Sequence, residues 1–271
     1  FISVIYTIRG GFYSVLKTDI IQFAMMFSGF LFILIFLYSK YGGYEFLSSS
    51  LSYEMLSFPG SLNWSYIIVW GFIAMLTFID PNFYQRTFAG RSTQDIQRGI
   101  CISVLLWFIF DIMSISVALY AAAIVPDINH SPYLDLILIA LPPIAQGLFI
   151  ISLLSVVMST VDSFLFISGC TVGKDILPLA IQSKTEKTIS YTKIGIVISG
   201  IISVILATFF ENALDIWYVS GSFAVSCIMI PLLCVFYKQN LRFPLAVIII
   251  PGVVTLFWFL WGIPSIDPMY P

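Results

Sequence analysis

Apolar stretches long enough to cross a lipid bilayer recur along the whole chain and constrain its fold more than any other feature. Each holds about 20 mostly apolar residues, the length that an α-helix needs to span the hydrocarbon core. Their polarity does not alternate residue by residue, as it does in transmembrane strands. We therefore predict an all-α polytopic membrane protein with about seven transmembrane helices. The predicted spans cover residues 14–38, 64–84, 99–124, 143–168, 191–209, 215–236 and 244–262.

The composition agrees with this fold and excludes several classes of function. Only 10% of the 271 residues are charged, whereas soluble domains carry about 25%. The net charge of −2 leaves no basic face for nucleic acid. His130 is the only histidine, and the spans contain no Cys-x-x-Cys spacing and no nucleophile–base pair. We therefore expect neither an enzyme nor a site for a softer metal.

The two ends of the sequence indicate a piece of a longer protein. Residues 1–9 predict the end of an earlier helix, because the Gly10-Gly11 pair that follows is a turn signal. The sequence begins at Phe1 rather than at a methionine and ends abruptly at Pro271. We expect all 271 residues to form a single but partial transmembrane domain.

Lysine and arginine are distributed unevenly between the two alternating sets of loops. One set holds eleven of these residues, and the other holds Lys40 alone. Loops rich in lysine and arginine stay on the cytoplasmic side of a membrane. The bias predicts a multi-pass protein of the cell (plasma) membrane with its N-terminus in the cytoplasm and its C-terminus outside.

Four acidic residues lie in or close to the predicted spans: Asp19, Asp80, Asp111 and Asp162. A charge at the bilayer centre costs at least about 2.5–3.5 kcal/mol on insertion scales, so such residues are functional candidates when they face protein or water. No lysine or arginine lies mid-span to neutralise them. They are therefore either protonated or paired with a cation from solution.

The fourth predicted span carries a stripe of polar side chains, which must face other helices. At about 100° per residue, one arc holds Ser152, Ser155, Ser159, Asp162 and Ser163, with Thr160 at its edge beside the backbone of Val156. For a single serine, a bond back to the preceding turn and close helix packing is the ordinary role. That role does not account for the adjacent Ser159-Thr160 pair followed by Asp162. Its oxygens suit a hard monovalent cation.

The second predicted span ends in T-F-I-D-P-N-F, residues 77–83. Pro81 has no N–H and pushes Asp80 out of helical geometry, so the carbonyl of Thr77 loses its partner. A helix broken at membrane depth in this way is a usual construction of a transporter binding site. Alternatively, Pro81 only ends the span where it meets the cytoplasm, and both interpretations stay open.

Four stretches carry a family likeness across essentially the whole chain. They are G-G-F-Y-S-V-L-K-T-D-I-I-Q at 10–22, D-P-N-F-Y-Q-R-T-F-A-G-R-S at 80–92, M-S-T-V-D-S-F-L-F-I-S with K-D-I at 158–176, and W-Y-V-S-G-S with I-P-L-L-C-V-F-Y-K at 217–238. In these stretches the chain resembles the sodium/solute symporter family, whose members carry sugars, proline, pantothenate, choline or monocarboxylates with sodium.

The resemblance implies a leucine-transporter-like fold, with two inverted five-helix repeats and alternating access. The first predicted span would end the first repeat, the next five would form the second repeat, and the last would follow the core. The missing N-terminal repeat of the same protein would be a necessary partner. The implied function is sodium-coupled symport of a small organic solute across the lipid bilayer.

The resemblance also implies a sodium site between the first and eighth core helices. Carried over residue by residue, Ser159 and Thr160 supply two hydroxyls and Val156 supplies a backbone carbonyl. Sodium is then the coupling ion, and no other cofactor is expected.

A second cation site or exit relay is implied beside the first. Asp19, from the family's Thr-Asp segment, would lie just cytoplasmic of the sodium site. Asp162 and Ser163 would shape the field and the water path without contacting the first ion. Whether Lys17, two residues before Asp19, screens it is open.

Solute contacts in the family come partly from the middle of its sixth and tenth core helices. They map onto Leu76, Thr77, Asp80, Trp217 and Ser220. The stretch L-T-F at 76–78 lacks the polar aromatic cluster of the sugar carriers. We therefore expect a zwitterion, an amine or a small carboxylate rather than a sugar.

An alternative function uses the same membrane module as the ligand sensor of a signalling protein. Some family members carry a kinase domain, and only further sequence would reveal one. The sequence therefore leaves two functions of different classes open, and it favours transport.

Overall fold

A computed structural model describes residues 2–74, 76–125, 131–180, 188–209 and 213–261. Within these ranges all regular structure is helical, which confirms the all-α prediction. The helices are α1 (Ile2–Tyr41), α2 (Tyr44–Ser50), α3 (Tyr53–Leu56), α4 (Trp64–Ile73), α5 (Leu76–Ile79), α6 (Pro81–Phe88), α7 (Thr93–Ile124), α8 (Pro132–Ala140), α9 (Pro143–Cys170), α10 (Leu177–Ala180), α11 (Thr188–Phe209), α12 (Ala213–Phe236) and α13 (Pro244–Trp261). A π-helical turn, Thr171–Ile176, joins α9 to α10.

In the described ranges, six helical stretches are long and apolar enough to cross a membrane. They are α1, α7, α9 continued through α10, α11, α12 and α13, and each matches one predicted span. The second predicted span, residues 64–84, differs because it is divided among the short helices α4, α5 and α6. The chain is therefore a multi-pass membrane protein, and its described residues contain six long apolar helices and one interrupted segment.

Helix α1 consists of two helical segments joined at Gly11. Gly11 has a φ of 58° and a ψ of −149°, a conformation that residues with a Cβ adopt only at a cost. The turn predicted at Gly10-Gly11 is thus confirmed. The kink matters for the site, because Tyr6 precedes it and Gln22 follows it, and both reach the same side chain of α9.

The described residues fall into two compact units. The first comprises Phe1–Ser61 and Gly90–Gly200, and its core lies where α1, α7, α8 and α9 meet. The side chains at the centre of this core are at most 2% exposed, and the larger ones are Phe30, Ile33, Leu37, Val117, Leu136 and Phe149. In a bilayer such contacts hold helices together by close packing, since lipid is as apolar as the side chains.

The second unit comprises Leu62–Ala89 and Ile201–Pro271. In it α12 packs against α5 and α13. Val225 of α12 is buried against Leu76, Ile79 and Met229. Thr255 of α13 donates a hydrogen bond of 2.9 Å to the Ser226 hydroxyl of α12. Interhelical hydrogen bonds of this kind stabilise helix pairs in membranes.

Candidate functional site

The polar stripe of α9 faces protein, as the sequence predicts. Four members of the stripe are buried in the first unit: Ser152, Ser155, Asp162 and Ser163. Four apolar residues of the opposite face are 40–58% exposed: Leu154, Val157, Val161 and Phe164. Helix α1 packs along the buried face, so the polar groups of α9 meet those of α1.

Two of the stripe's serines hold α9 against α1. The Ser152 hydroxyl lies 2.9 Å from the Leu148 carbonyl of its own helix and 3.1 Å from the Met25 carbonyl of α1. Gly29 permits this approach, since a Cβ there would lie 1.5 Å from the Ser152 hydroxyl oxygen. The Ser155 hydroxyl donates to the carbonyl of Ile151 at 2.8 Å and lies 3.7 Å from Met25 Sδ of α1. Both serines have the ordinary packing role.

The three residues of the predicted sodium site bring their oxygens together. The Ser159 hydroxyl donates to the Val156 carbonyl at 2.9 Å, and the Thr160 hydroxyl donates to the same carbonyl at 3.3 Å. Ser159 is half-buried, whereas Thr160 is exposed on the surface of the described chain. One carbonyl and two hydroxyls thus form a cluster of hard oxygen donors, which is the ligand type that a sodium ion takes.

Asp162 occupies the most enclosed polar position on α9, with 0% of its side chain exposed. Its Oδ2 accepts hydrogen bonds from the Tyr6 hydroxyl and, at 3.1 Å, from Gln22 Nε2. Its Oδ1 is buried without a hydrogen-bond partner, and so are Gln22 Oε1 and the Thr7 hydroxyl. The carboxyl group is therefore satisfied on one oxygen only.

The other two residues of the predicted second cation site lie on different helices, Ser163 next to Asp162 on α9 and Asp19 on α1. Ser163 is buried, and its hydroxyl donates to the Ser159 carbonyl at 2.9 Å. Asp19 is half-buried on α1, one turn before Gln22. The Lys17 ammonium lies 4.6 Å from the centroid of the Tyr13 ring, a cation–π contact. The second cation site remains a prediction.

Asp80, one of the predicted solute residues, caps a helix in the second unit. It has extended backbone angles (φ −72°, ψ 115°), as expected before Pro81. Its Oδ1 accepts from the Asn82 backbone N–H at 2.8 Å and from Asn82 Nδ2 at 3.0 Å. This is a helix N-cap, with proline at the first helical position. Asp80 therefore has a structural role whether or not it also binds solute.

The remaining predicted solute residues also belong to the second unit. Leu76 packs on α12, since a Cβ at Gly221 would lie 2.9 Å from Leu76 Cδ1. Trp217 stacks on Trp70, with ring centroids 6.2 Å apart and an interplanar angle of 21°. The Ser220 hydroxyl donates to a carbonyl one turn earlier at 2.6 Å. Leu76 belongs to α5 and Trp217 to α12, and these two helices pack together. Thr77 of α5 is exposed.

Sequence reasoning missed the partners of Asp162. Tyr6 belongs to the segment that was predicted only as the end of an earlier helix, and a tyrosine in an apolar helix gives no signal of its own. Gln22 does give a signal, because it is a polar amide inside a predicted span. His130 lies outside the described residues, and the ranges described contain no group of three or more histidine, cysteine or acidic residues that could hold a metal.

The sequence of this chain is similar to that of a known protein family and to that of a characterised relative. The model of the sodium:solute symporter family matches residues 1–242. The sodium/pantothenate symporter of Haemophilus influenzae is 28% identical over 218 residues, which cover 74% of this chain and 43% of that protein. The matched part of the chain thus spans less than half the length of this relative. No solved structure matches the chain.

Proposed function

Because the chain belongs to the sodium:solute symporter family, we propose that the full-length protein carries a small organic solute together with sodium by alternating access. The relative from Haemophilus influenzae is a symporter rather than an enzyme. The observation that carries the proposal is the oxygen cluster of Val156, Ser159 and Thr160 on α9.

The cluster is suited to exchange between an empty and an occupied state. In this structure both hydroxyls form hydrogen bonds with the Val156 carbonyl. A hydroxyl keeps two acceptor lone pairs and rotates freely about its C–O bond. An intramolecular hydrogen bond contributes a net of about 1 kcal/mol, so giving up these bonds to bind a cation costs little. The first repeat, outside this chain, would supply the remaining ligands.

Sodium bound here couples transport to the membrane potential. Each positive charge that crosses the membrane gains about 2.3 kcal/mol per 100 mV. We place the protein in the cell membrane with its N-terminus in the cytoplasm, on the basis of the eleven-to-one bias of lysine and arginine between the loops.

The solute is proposed to contact Leu76, Thr77, Asp80, Trp217 and Ser220 of the second unit. A sodium/pantothenate symporter is among the relatives, so pantothenate is the first solute to test. A competition screen for uptake of labelled pantothenate by the full-length protein, with other small carboxylates, zwitterions and amines as competitors, would define the class.

The sodium site is tested by removing one hydroxyl at a time. Ser159→Ala and Thr160→Ala each delete one ligand of about five without opening a large cavity, so the protein should still be expressed. We expect the sodium concentration for half-maximal uptake to rise at least about tenfold, equivalent to about 1.4 kcal/mol. Uptake by the full-length protein in cells, at a series of sodium concentrations, measures this.

Ser152→Ala is the matched control, since it removes a hydroxyl from the same stripe at a helix-packing position. Its sodium dependence should equal that of the parent, even if thermal stability falls somewhat. The site is wrongly placed if the Ser159 and Thr160 variants keep the parental sodium dependence while the Ser152 variant loses it.

A further inference from the structure

The turn between α12 and α13 carries positive charge and no negative charge. It reads Y-K-Q-N-L-R-F, residues 237–243, and joins two helices that are long and apolar enough to cross a membrane. From Ile216 to Trp261 the sequence contains no aspartate, glutamate or histidine. Lys238 and Arg242 are therefore the only charged residues of this whole stretch, and both lie in the turn.

Lys238 has a backbone conformation that favours glycine. Helix α12 ends in a Schellman motif, in which the Lys238 N–H donates to the Val235 carbonyl at 3.1 Å and the Gln239 N–H donates to the Cys234 carbonyl at 2.8 Å. The motif gives Lys238 a φ of 51°, which costs free energy for any residue with a Cβ. Glycine would end the helix better, so the lysine side chain needs a reason other than capping.

Both charged groups of the turn are exposed and have no counter-ion on the protein. The side chains of Lys238 and Arg242 are exposed, and neither forms an ion pair with another described residue. The Arg242 guanidinium lies 5.5 Å from the centroid of the Phe243 ring, a cation–π contact that leaves its charge unneutralised. The turn can therefore attract an anion from its surroundings.

The acid on the helices that pack against α12 is too far away to neutralise the turn. That acid is Asp80, and its neighbour Ile79 packs against Val225 of α12. Lys238 follows Val225 by about 20 Å along the helix axis, at about 1.5 Å per residue. Salt at physiological concentration screens exposed charges that are more than about 8 Å apart.

Large apolar side chains surround the two charges. Those beside the turn are at least 60% exposed, and they are Phe236, Tyr237, Phe243 and Leu245. They lie where two membrane-spanning helices end, which is the level at which the lipid headgroups meet the hydrocarbon core, and tyrosine is typical of this level. An anion-attracting group thus lies next to an apolar surface, as the two parts of a phospholipid require.

We propose that the α12–α13 turn binds an anionic phospholipid, with the headgroup phosphate on Lys238 and Arg242 and an acyl chain on the apolar side chains beside them. Arginine binds phosphate through two parallel N–H groups, and lysine adds a point charge. The two Cα atoms are at most about 14 Å apart, since an extended chain covers at most about 3.6 Å per residue. Two long side chains can therefore reach one phosphate.

The proposal goes beyond sodium-coupled symport and does not depend on it, so its test measures lipid binding without transport. Native mass spectrometry of the purified full-length protein in detergent, titrated with phosphatidylglycerol, gives an apparent Kd. Lys238→Gln and Arg242→Gln should each raise this Kd about fivefold, equivalent to about 1 kcal/mol for one basic residue near an anionic lipid. Phosphatidylcholine has a positive group of its own, so it should bind the parent more weakly than phosphatidylglycerol does.

Lys238→Gly separates lipid binding from folding. Glycine keeps the Schellman motif and removes the strain at φ 51°, so the variant should be at least as stable as the parent. It should nevertheless bind phosphatidylglycerol as weakly as Lys238→Gln does. Lys193→Gln is the matched control, because it removes an exposed lysine near the start of another membrane-spanning helix, α11. Its Kd for phosphatidylglycerol should equal that of the parent.

Two results would refute the site. If the Lys238 and Arg242 variants bind phosphatidylglycerol as tightly as the parent, the turn does not hold the lipid. If Lys193→Gln weakens binding as much as they do, the attraction belongs to the whole basic surface. A competition with inorganic phosphate identifies the ligand, because displacement of the lipid at an equal phosphate concentration would make the turn a site for free phosphate and overturn the proposal.

Discussion

The close approach of α9 and α11 depends on glycines, and Gly195 is the position where an added methyl group is most informative. A Cβ at Gly195 would lie 2.7 Å from the carbonyl oxygen and 3.0 Å from the Cα of Gly169. Both atoms belong to the backbone, so no side-chain rotation relieves the contact. Gly195→Ala must therefore push the two helices apart along the segment that follows the sodium site.

The size of the effect follows from two opposing contributions. Forcing an extra methyl group into a well-packed contact costs typically about 1–3 kcal/mol. Alanine gains about 1 kcal/mol over glycine in a helix interior. Because the clash is with backbone, we expect the packing cost at the upper end of its range and a net destabilisation of about 1–2 kcal/mol. In the full-length protein that corresponds to a fall in Tm of a few degrees.

Gly147→Ala is the matched control, because Gly147 lies in the exposed face of α9 and a Cβ there would meet nothing within 4 Å. It should be neutral or slightly stabilising. The assay is the fraction of full-length protein that stays monodisperse in detergent after heating, measured by size-exclusion chromatography over a range of temperatures. Equal Tm values for Gly195→Ala and Gly147→Ala would refute the close packing of α9 on α11.

Two further predictions concern topology and the acid of the Thr-Asp segment. In a background without cysteines, Ser49→Cys and Asn129→Cys should react with an impermeant thiol reagent applied to intact cells. Ser183→Cys should not react. The reverse pattern would overturn the predicted orientation. Asn129 and Ser183 lie outside the described residues. Asp19→Asn should fold but change the sodium activation curve or the maximal uptake, because an amide oxygen does not hold the charge, and a variant matching the parent in both would make Asp19 a structural acid.

Much of the helical framework was predictable because a bilayer imposes a simple rule on sequence. About 20 apolar residues in a row have one stable form in lipid, the α-helix, and six predicted spans correspond to continuous helices. The kink at Gly11 was predictable for a similar reason, because only glycine takes a positive φ without strain. The division of residues 64–84 at Asp80-Pro81 followed from the missing N–H of proline.

The sequence by itself also determined that the hydroxyls of α9 share one face and that this face meets protein, since helical periodicity places them and lipid rejects them. Only the tertiary structure decided which atoms they meet. Ser152 holds α1 through the Met25 carbonyl, while Asp162, ten residues later, holds Tyr6 and Gln22. Those contacts join residues 156 and 140 positions apart in the chain. They depend on how α1 bends at Gly11 and packs along α9, and periodicity within one helix carries no information about that packing.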